Sequence, residues 1–219
     1  MIIREFIPVI MKPERPLEGV TYLENTGETD TLAEKIKRML ETPADYYVFH
    51  HQDLKIETPE AIPLQCERMR VDGVGVAGVI GTLCLFNSVQ WWQPQRNVVT
   101  VGAILQGDGK GGSYPMLDGP GYRPDAVSVD GCFMVFSREF LERYEPHPFH
   151  WRFGYDSDAC LQCLSMGMKV GIVDIRCLHD SQGGFNPAEF EEFRQKFLSY
   201  WKPRVDFPVI NQSRFKHES

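Results

Sequence analysis

The chain has 219 residues, of which 42% are hydrophobic, 24% charged and 12% aromatic. This is a globular composition in a chain long enough to bury a substantial core, so a disordered chain and a fibre are excluded. The 30 acidic residues outnumber the 23 basic ones and give a net charge of −7. A general nucleic-acid-binding role, which needs a basic face, is therefore excluded, whereas a pocket for one compact anion is not.

No apolar run approaches the roughly 18–20 residues that cross a bilayer. The first apolar stretch contains Arg4 and Glu5 and has no small-residue cleavage site, which argues against a secretion signal. The six cysteines lie in apolar contexts that are typical of reduced, packed thiols. We therefore expect a cytoplasmic protein that forms a single domain over residues 1–219 and has no transmembrane segment.

The first half of the chain alternates short apolar runs with amphipathic stretches, the pattern of an α/β sheet. A capping box formed by Thr31 and Glu34 predicts a helix that ends before Pro43. A second helix is predicted from Thr58 to about Arg70. The strands predicted in this half are residues 2–10, 19–23, 44–49 and 74–86.

The second half of the chain continues the same alternation. Ser137 is predicted to cap a short helix that runs through Tyr144. Another helix is predicted to begin at Asp156 or Ser157, and Asn186 starts a last helix with an aromatic face. The strands predicted in this half are residues 126–136 and 168–175.

One segment interrupts this alternation. Residues 106–125 contain six glycines and three prolines in twenty positions. Such a segment cannot form core, and a long irregular loop in a compact domain is usually a lid, a binding loop or disordered. We expect an irregular insertion over residues 87–125 that covers the site or binds the acceptor.

Three motifs match known patterns in form only. Residues 73–78 match the G-x-G-x-x-G of dinucleotide sites, but these glycines lie within a predicted strand and not between a strand and a helix. Residues 107–112 resemble a phosphate loop, with Gly111 where Ser or Thr must meet magnesium. Cys160 and Cys163 lack the second pair of a zinc site, so core packing is favoured.

Three polar clusters lie where predicted strands end or helices begin. His51 and Asp53 follow a buried strand, and ligands bind at the carboxyl ends of strands in open α/β sheets. Asp156 and Asp158 lie at the start of a helix, whose dipole favours carboxylates. His179 follows another strand. Each cluster alone is also compatible with a capping or solvated loop role.

Together the clusters provide metal ligands in Asp53 and His179, a spare carboxylate in Asp156 and a glycine-rich cover. Transfer of a sugar from a nucleoside diphosphate needs these parts, because a divalent cation stabilises the charge that develops on the leaving diphosphate. A carboxylate takes the proton of the weakly nucleophilic acceptor hydroxyl, and a cover excludes water. Magnesium or manganese suits such a site, since either ion accepts few protein ligands and keeps phosphates in its shell.

Four motifs occur in order between about residues 20 and 185: F-x-H-Q-D, V-D-G-x-F-M-V, F-x-x-D-x-D-x-C-L with G-x-K-V-G-I-V-D, and a late histidine. In this order they resemble the family-2-like glycosyltransferases with a GT-A fold, in the branch that writes its metal motif as H-Q-D. The resemblance implies an α/β, GT-A-like fold with a Rossmann-like mixed central sheet flanked by helices. It also implies an inverting, metal-dependent glycosyltransferase that uses Mn²⁺ or Mg²⁺ and moves a hexosyl or related sugar.

The resemblance also implies a role for each matching residue. Asp53 would hold the metal bound to the diphosphate, with His51 in place of the family's first aspartate. His179 would be the late metal-binding histidine, and Asp156 would be the catalytic base. The Asp130-Gly131 turn would lie beneath the donor sugar.

The chain departs from the family pattern at two places. Tyr155 stands where the family usually has glutamate before the base, so Asp158 is a second candidate for the base. The first strand lacks the family's usual ending, which leaves the recognition of the nucleoside open. The polar residues expected to contact the donor are Glu24, Asn25 and Gln52.

The acceptor is expected to be a glycan or another hydroxyl compound, and a UDP-sugar is favoured among the donors. Trp91 and Trp92 are candidates for stacking on an acceptor sugar, although an aromatic pair is as often part of a core or an interface.

Two further functions stay open at this point. A nucleotide-sugar or glycan-binding module without catalysis would account for His51 and Tyr155, where the chain departs from the enzymes. A metallohydrolase with tightly bound zinc would draw its ligands from His50, His51, Asp53, His147, His150 and His179.

Overall fold

The computed structural model describes residues 1–9, 17–25, 30–90, 100–107, 113–115 (backbone only), 121–181 and 186–210. The helices in these ranges are α1 (Leu32–Arg38), α2 (Ile62–Asp72), α3 (Arg138–Arg143), α4 (Tyr155–Ser165) and α5 (Pro187–Trp201). The strands are β1 (Ile3–Pro8), β2 (Val20–Leu23), β3 (Tyr46–His50), β4 (Leu54–Ile56), β5 (Val74–Gly78), β6 (Ile80–Thr82), β7 (Thr100–Gly102), β8 (Leu105–Gly107), β9 (Ser113–Pro115), β10 (Arg123–Ala126), β11 (Ser128–Val129), β12 (Phe133–Ser137), β13 (Lys169–Ile172) and β14 (Cys177–His179). Short 3₁₀ turns follow α1 at Met39–Glu41 and precede α2 at Pro59–Ala61.

A seven-stranded sheet with the order β2-β1-β3-β12-β5-β13-β10 forms the centre of the molecule. Its strands β2, β1, β3, β5 and β13 are parallel, whereas β12 and β10 run in the opposite direction. Because β12 is inserted backwards between β3 and β5, its first residues lie at the edge where its neighbours end. The site described below lies along that edge.

Helices cover both faces of this sheet. Side chains of β3 alternate between them, so that Tyr47 packs in one buried cluster with residues of α1, α3, α4 and α5. Val48 packs in the other cluster, where Cys66 and Met69 of α2 cover the sheet. Strand β3 is therefore buried on both faces, as its run of β-forming residues indicates. The predicted fold class, an α/β protein with a mixed central sheet flanked by helices as in GT-A-like folds, is confirmed.

Two small sheets lie beside the central one, with the orders β11-β6-β7 and β4-β14-β8-β9. In the second, β14 pairs antiparallel with β4, so that His179 lies opposite Leu54. The backbone N–H of Asp180 also donates to the carbonyl of Asp53, with an N···O distance of 2.9 Å. This pairing brings together two loops that are far apart along the chain.

The predicted helix caps are confirmed. Thr31 and Glu34 form the capping box of α1, and the side chains of Ser137 and Asn186 accept the hydrogen bonds that cap α3 and α5. Helix α4 begins at Tyr155, one residue before the earlier of the two predicted starts, because Gly154 occupies the N-cap position.

Two predicted strands are divided. The run 74–86 contains β5 and β6, which are separated at Val79, and no described strand continues beyond Thr82. The run 126–136 is divided among β10, β11 and β12. A carboxylate oxygen of Asp130 accepts the backbone N–H of Cys132 at 2.7 Å, and this local turn competes with extended structure.

The glycine-rich segment is described only in part. Its described residues include β9, β10 and the last residues of β8, short strands that the sequence pattern did not predict. The assignment of residues 87–125 as one insertion stays a prediction. No described helix is both long and apolar enough to span a membrane.

Candidate active site and metal ligands

Two adjoining cavities open at the carboxyl edge of the central sheet. The larger has a volume of about 480 Å³, and it is lined by Pro8, Val9, Asn25, Asp30, Leu32, Lys35, His51, Gln52, Asp53, Trp151 and Arg152. The smaller has a volume of about 150 Å³, and its polar lining includes His51, Asp130, Arg152, Tyr155, Asp156 and Ser157. His51 and Arg152 line both cavities, so the two spaces meet at these side chains.

Potential metal ligands converge at the edge of the larger cavity, which His51 and Asp53 line. His51, Asp53 and His179 each offer one ligating atom, and the three atoms lie within 4.8 Å of one another. The Nε2 atom of His179 lies 3.4 Å from a carboxylate oxygen of Asp53, and this buried nitrogen makes no hydrogen bond within the described structure. An imidazole nitrogen that is held beside a carboxylate only by this long ion pair suits a metal ligand. The sequence analysis predicted these three residues, and the structure brings them together.

The fold fixes these ligands through the backbone. His51 follows the end of β3, and its backbone N–H donates to the carbonyl of Cys132 at 2.9 Å. The pairing of β4 with β14 then sets His179 beside Asp53. The cluster therefore depends on the register of strands and not on flexible side chains alone.

Neighbouring charges and burial shift the pKa values of all three potential ligands. Burial tends to raise the pKa of Asp53, but the adjacent His179 and His51 outweigh it and lower that pKa. Burial tends to lower the pKa of His179, but Asp53, Asp130 and Asp180 raise it overall. Burial lowers the pKa of His51, which favours the neutral imidazole that a metal binds. The donor set of two imidazoles and a carboxylate therefore fits a divalent cation.

Tyr155 connects this cluster to the smaller cavity. Its hydroxyl forms a 2.8 Å hydrogen bond with Nε2 of His51, and its ring packs edge-on against Phe49. Burial raises the pKa of Tyr155 well above its usual range, so the hydroxyl keeps its proton. A partner on one ring nitrogen orients an imidazole for a ligand on the other.

Two glycines allow Tyr155 to take this position. A Cβ at Gly131 would overlap the Tyr155 hydroxyl, so this turn residue has no room for a side chain. Gly154 has a φ of +76°, and a Cβ there would overlap the ring of Phe193. Glycine at both positions sets the start of α4 close against the turn before β12.

Asp156 lies at the wall of the smaller cavity. Its carboxylate accepts the backbone N–H of Gly131 at 3.2 Å and that of Ser157 at 2.7 Å. Burial, with the nearby charge of Asp130, raises the pKa of Asp156 to about 7. A carboxylate with such a pKa, at the wall of a cavity, can accept a proton near neutral pH.

Asp158, the second candidate for the base, lies in the interior and lines neither cavity among the described residues. Its oxygens accept hydrogen bonds from the Trp201 indole at 3.0 Å and the Gln162 amide at 2.8 Å. Nδ1 of His147 lies 3.0 Å from the same carboxylate. With its lone pairs occupied by the protein, Asp158 is poorly placed to accept a proton from a substrate.

The predicted donor contacts are divided between the cavities and the surface. Asn25 and Gln52 line the larger cavity, and Asp130 and Gly131 line the smaller one. Glu24 is exposed and lines neither of these cavities, although its backbone carbonyl accepts a hydrogen bond from Arg38. The predicted acceptor residues Trp91 and Trp92 lie outside the described residues.

Sequence reasoning missed several residues of the cavity walls. Trp151 and Arg152 line the larger cavity, together with the buried Lys35, whose Nζ donates to the carbonyl of Val9 at 3.0 Å. A cation within the aromatic run H-W-R-F was the one available signal for Arg152. That signal is ambiguous, because arginine also packs on aromatic rings in purely structural roles.

The histidines of the hydrolase alternative do not gather in one place. The nitrogens of His50 are occupied by Glu5 and the carbonyl of His51, both at 2.9 Å. His147 contacts Asp158, and Nδ1 of His150 accepts the backbone N–H of Arg152 at 3.3 Å. Among the described residues, only His51 and His179 lie with Asp53 in a group that could hold a metal ion.

The family of the chain is established by comparison with protein-family models. The model described as "Glycosyltransferase like family" matches residues 22–201, which include every element from β3 to α5. This chain belongs to the glycosyltransferase-like family. The membership confirms the predicted class in its general form, whereas the narrower resemblance to a branch with an H-Q-D metal motif stays a prediction. No curated protein matches the chain.

Several solved structures are similar to the chain at low identity. The protein A197 from STIV is 14% identical, with 82% of this chain and 85% of that chain covered and a TM-score of 0.47. The mannosyltransferase PcManGT from Pyrobaculum calidifontis, solved in complex with GDP-Man and Mn²⁺, is 12% identical, with 89% and 68% covered and a TM-score of 0.43. A CMP:2-keto-3-deoxy-manno-octonic acid synthetase complexed with CTP is 12% identical, with 91% and 100% covered and a TM-score of 0.41.

Proposed function

We propose that this protein transfers a sugar from a nucleoside-diphosphate donor to an acceptor hydroxyl, with a divalent cation in the larger cavity and Asp156 as the base in the smaller one. Membership in the glycosyltransferase-like family supports sugar transfer. The observation that carries the rest is the adjoining pair of cavities, one bordered by three potential metal ligands and the other by the carboxylate of Asp156.

His51, Asp53 and His179 would hold the cation, and Mn²⁺ suits this nitrogen-containing set better than Mg²⁺, which prefers oxygen ligands. The bound cation would supply positive charge for the diphosphate as it leaves. The nucleoside would lie in the larger cavity, where Asn25 and Gln52 offer amide groups. These amides suit the hydrogen-bonding edge of a base, and a UDP-sugar stays the favoured donor.

Asp156 would act on the acceptor. Its carboxylate takes the hydroxyl proton while the acceptor oxygen bonds to the anomeric carbon and the bond from that carbon to the diphosphate oxygen breaks. The base and the cation would lie in different cavities, so the hydroxyl would approach from the side opposite the leaving group. This arrangement favours inversion at the anomeric carbon. The acceptor contacts at Trp91 and Trp92, the single domain over 1–219 and the cytoplasmic location stay predictions.

The test is sugar transfer by purified Asp53→Ala and Asp156→Asn, with a panel of nucleotide sugars and hydroxyl acceptors and with or without Mn²⁺. We expect each substitution to lower kcat by roughly 10²–10⁴-fold, since each removes a group that acts on the leaving group or on the hydroxyl proton. Chelation of the metal should abolish turnover by the wild type.

Asp174→Asn is the matched control, because Asp174 is exposed and lines neither cavity among the described residues. It should retain the wild-type rate. Near-wild-type turnover by both Asp53→Ala and Asp156→Asn would refute the proposed function.

A further inference from the structure

Arg152 lies between the two cavities without a complete set of partners. It lines both of them, and its Nε atom is buried without a hydrogen-bond partner in the described structure. One terminal nitrogen lies 3.4 Å from a carboxylate oxygen of Glu189, which is long for a charge-assisted hydrogen bond. A buried guanidinium N–H usually has a partner, so this position points to a ligand that supplies one.

Aromatic rings hold the guanidinium in place. Its central carbon lies 5.1 Å from the centroid of the Trp151 ring and 4.7 Å from that of Phe153. Stacking of this kind restrains the planar group and leaves the N–H donors at its edge available. The backbone is also anchored, since the Trp151 carbonyl accepts the N–H of Leu32 at 3.1 Å. Arg152 is thus fixed before any ligand binds.

The charges around Arg152 indicate what that ligand is. Asp30 and Asp53 line the larger cavity, and Asp130 and Asp156 line the smaller one. Among the described lining residues, Arg152 is the one Lys or Arg in the smaller cavity, and Lys35 in the larger cavity already donates to a carbonyl. An anion bound between these carboxylates needs fixed positive charge in addition to a metal ion.

We propose that Arg152 binds the diphosphate of the donor and of the product nucleotide where the two cavities meet. This inference rests on the proposed function. The planar guanidinium presents parallel N–H donors that match two phosphate oxygens, and the site where the cavities meet is where the bond from sugar to phosphate would break. Arg152 would thus share with the cation the negative charge that develops there.

The experiment measures nucleotide binding by wild type, Arg152→Gln and Arg152→Lys, using isothermal titration calorimetry. The probes are UDP, GDP, CDP and ADP in the presence of Mn²⁺, the corresponding nucleosides, and Mn²⁺ alone. For the diphosphate that binds the wild type best, we expect roughly 10- to 100-fold weaker binding to Arg152→Gln and an intermediate loss for Arg152→Lys. Binding of the nucleoside and of Mn²⁺ alone should change less than about twofold.

Arg176→Gln is the matched control, because Arg176 is an exposed arginine that pairs with Glu57 outside the cavities. It should bind the diphosphate like the wild type. If Arg152→Gln fails to fold, Arg152→Lys keeps the positive charge and still tests the loss of the paired donors.

Unchanged diphosphate affinity in both variants would overturn the inference, and so would an equal loss for the nucleoside. A raised acceptor KM with unchanged diphosphate affinity would also overturn it, since Arg152 would then act on the acceptor. Failure of the wild type to bind Mn²⁺ and all four diphosphates would instead refute the proposed function.

Discussion

Two aspartate–histidine clusters with the same chemistry lie in different parts of the molecule. Asp158 is 0% exposed and is contacted by His147, Trp201 and Gln162, so its hydrogen-bonding capacity is filled by the protein. Asp53 has a side chain that is 40% exposed, and its partner His179 keeps a buried nitrogen without a hydrogen bond in the described structure. The residue types are therefore a poor guide to function. A better guide is whether the polar atoms of a cluster already have hydrogen-bond partners within the protein.

The contrast predicts that one cluster stabilises the fold and the other does not. Asp158→Ala should lower the free energy of unfolding by about 3–5 kcal/mol, because it leaves the Trp201 and Gln162 donors buried without an acceptor. Asp53→Ala should cost less than about 1 kcal/mol, as expected for a partly exposed ion pair. Urea unfolding of both variants without added metal measures the difference. Equal stabilities of the two variants would remove the contrast.

The buried carboxylate of the smaller cavity should destabilise the fold in a pH-dependent way. The pKa of Asp156 in the folded protein is raised to about 7, whereas the unfolded carboxyl titrates near 4. Folding favours the protonated carboxyl. The stability that it contributes is therefore fully present below about pH 4 and is lost as the pH rises through 7. As the pH rises from 4.5 to 8, the free energy of unfolding of Asp156→Asn should increase by about 2–3 kcal/mol relative to that of the wild type. This is less than the full pKa difference would give, because the carboxylate reaches the cavity.

Thermal and urea unfolding of metal-free Asp156→Asn and wild type across this pH range provide the measurement. Asp174→Asn is the reference variant, because Asp174 is exposed and lines neither cavity among the described residues. A stability difference for Asp156→Asn that does not change with pH would show that burial does not raise this pKa.

The smallest expected effect concerns the hydroxyl that orients His51. Tyr155→Phe removes its 2.8 Å hydrogen bond to His51 but keeps the ring that packs against Phe49. We expect Mn²⁺ to bind about tenfold more weakly, at the lower end of what such outer partners contribute to metal affinity. Electron paramagnetic resonance of free Mn²⁺ gives the affinity without any need for a substrate.

Tyr144→Phe is the control for this change. Tyr144 is also buried, but its hydroxyl has no hydrogen-bond partner in the described structure. Its removal should leave Mn²⁺ affinity unchanged. If the two phenylalanine variants bind Mn²⁺ equally well, the hydroxyl of Tyr155 does not position His51.

Local signals in the sequence were sufficient for much of the fold. The caps at Thr31, Ser137 and Asn186 depend on residues three or fewer positions apart, and the structure confirms them. The central strand β3 was evident because a strand buried on both faces is a continuous apolar run. The run 126–136 was read as a single strand, since hydrophobicity does not reveal the turn that the Asp130 carboxylate makes. The run 74–86 was also read as one strand, because it stays apolar across the break at Val79.

The candidate site was predictable only to the level of its loops. Polar residues after predicted strands identified His51, Asp53 and His179, but their meeting depends on β4 and β14. Each of these strands has three residues, too few to show a periodicity, and they pair over a long sequence separation. The hydrogen bonds that fill the lone pairs of Asp158, and so favour Asp156 as the base, arise only from tertiary packing. The same is true of the contact between Arg152 and the ring of Phe153.

The reversed strand β12 has a consequence for how the reaction centre could change. Parallel strands present carbonyl groups at the edge where they end, but β12 begins there, and the turn before it supplies both an amide and a carbonyl. Gly131 donates to Asp156, and Cys132 accepts from the backbone of His51. The two neighbouring residues Gly131 and Cys132 thus set the spacing between Asp156 and the backbone of His51. An insertion at this turn would therefore change the spacing between Asp156 and the loop that carries His51 and Asp53.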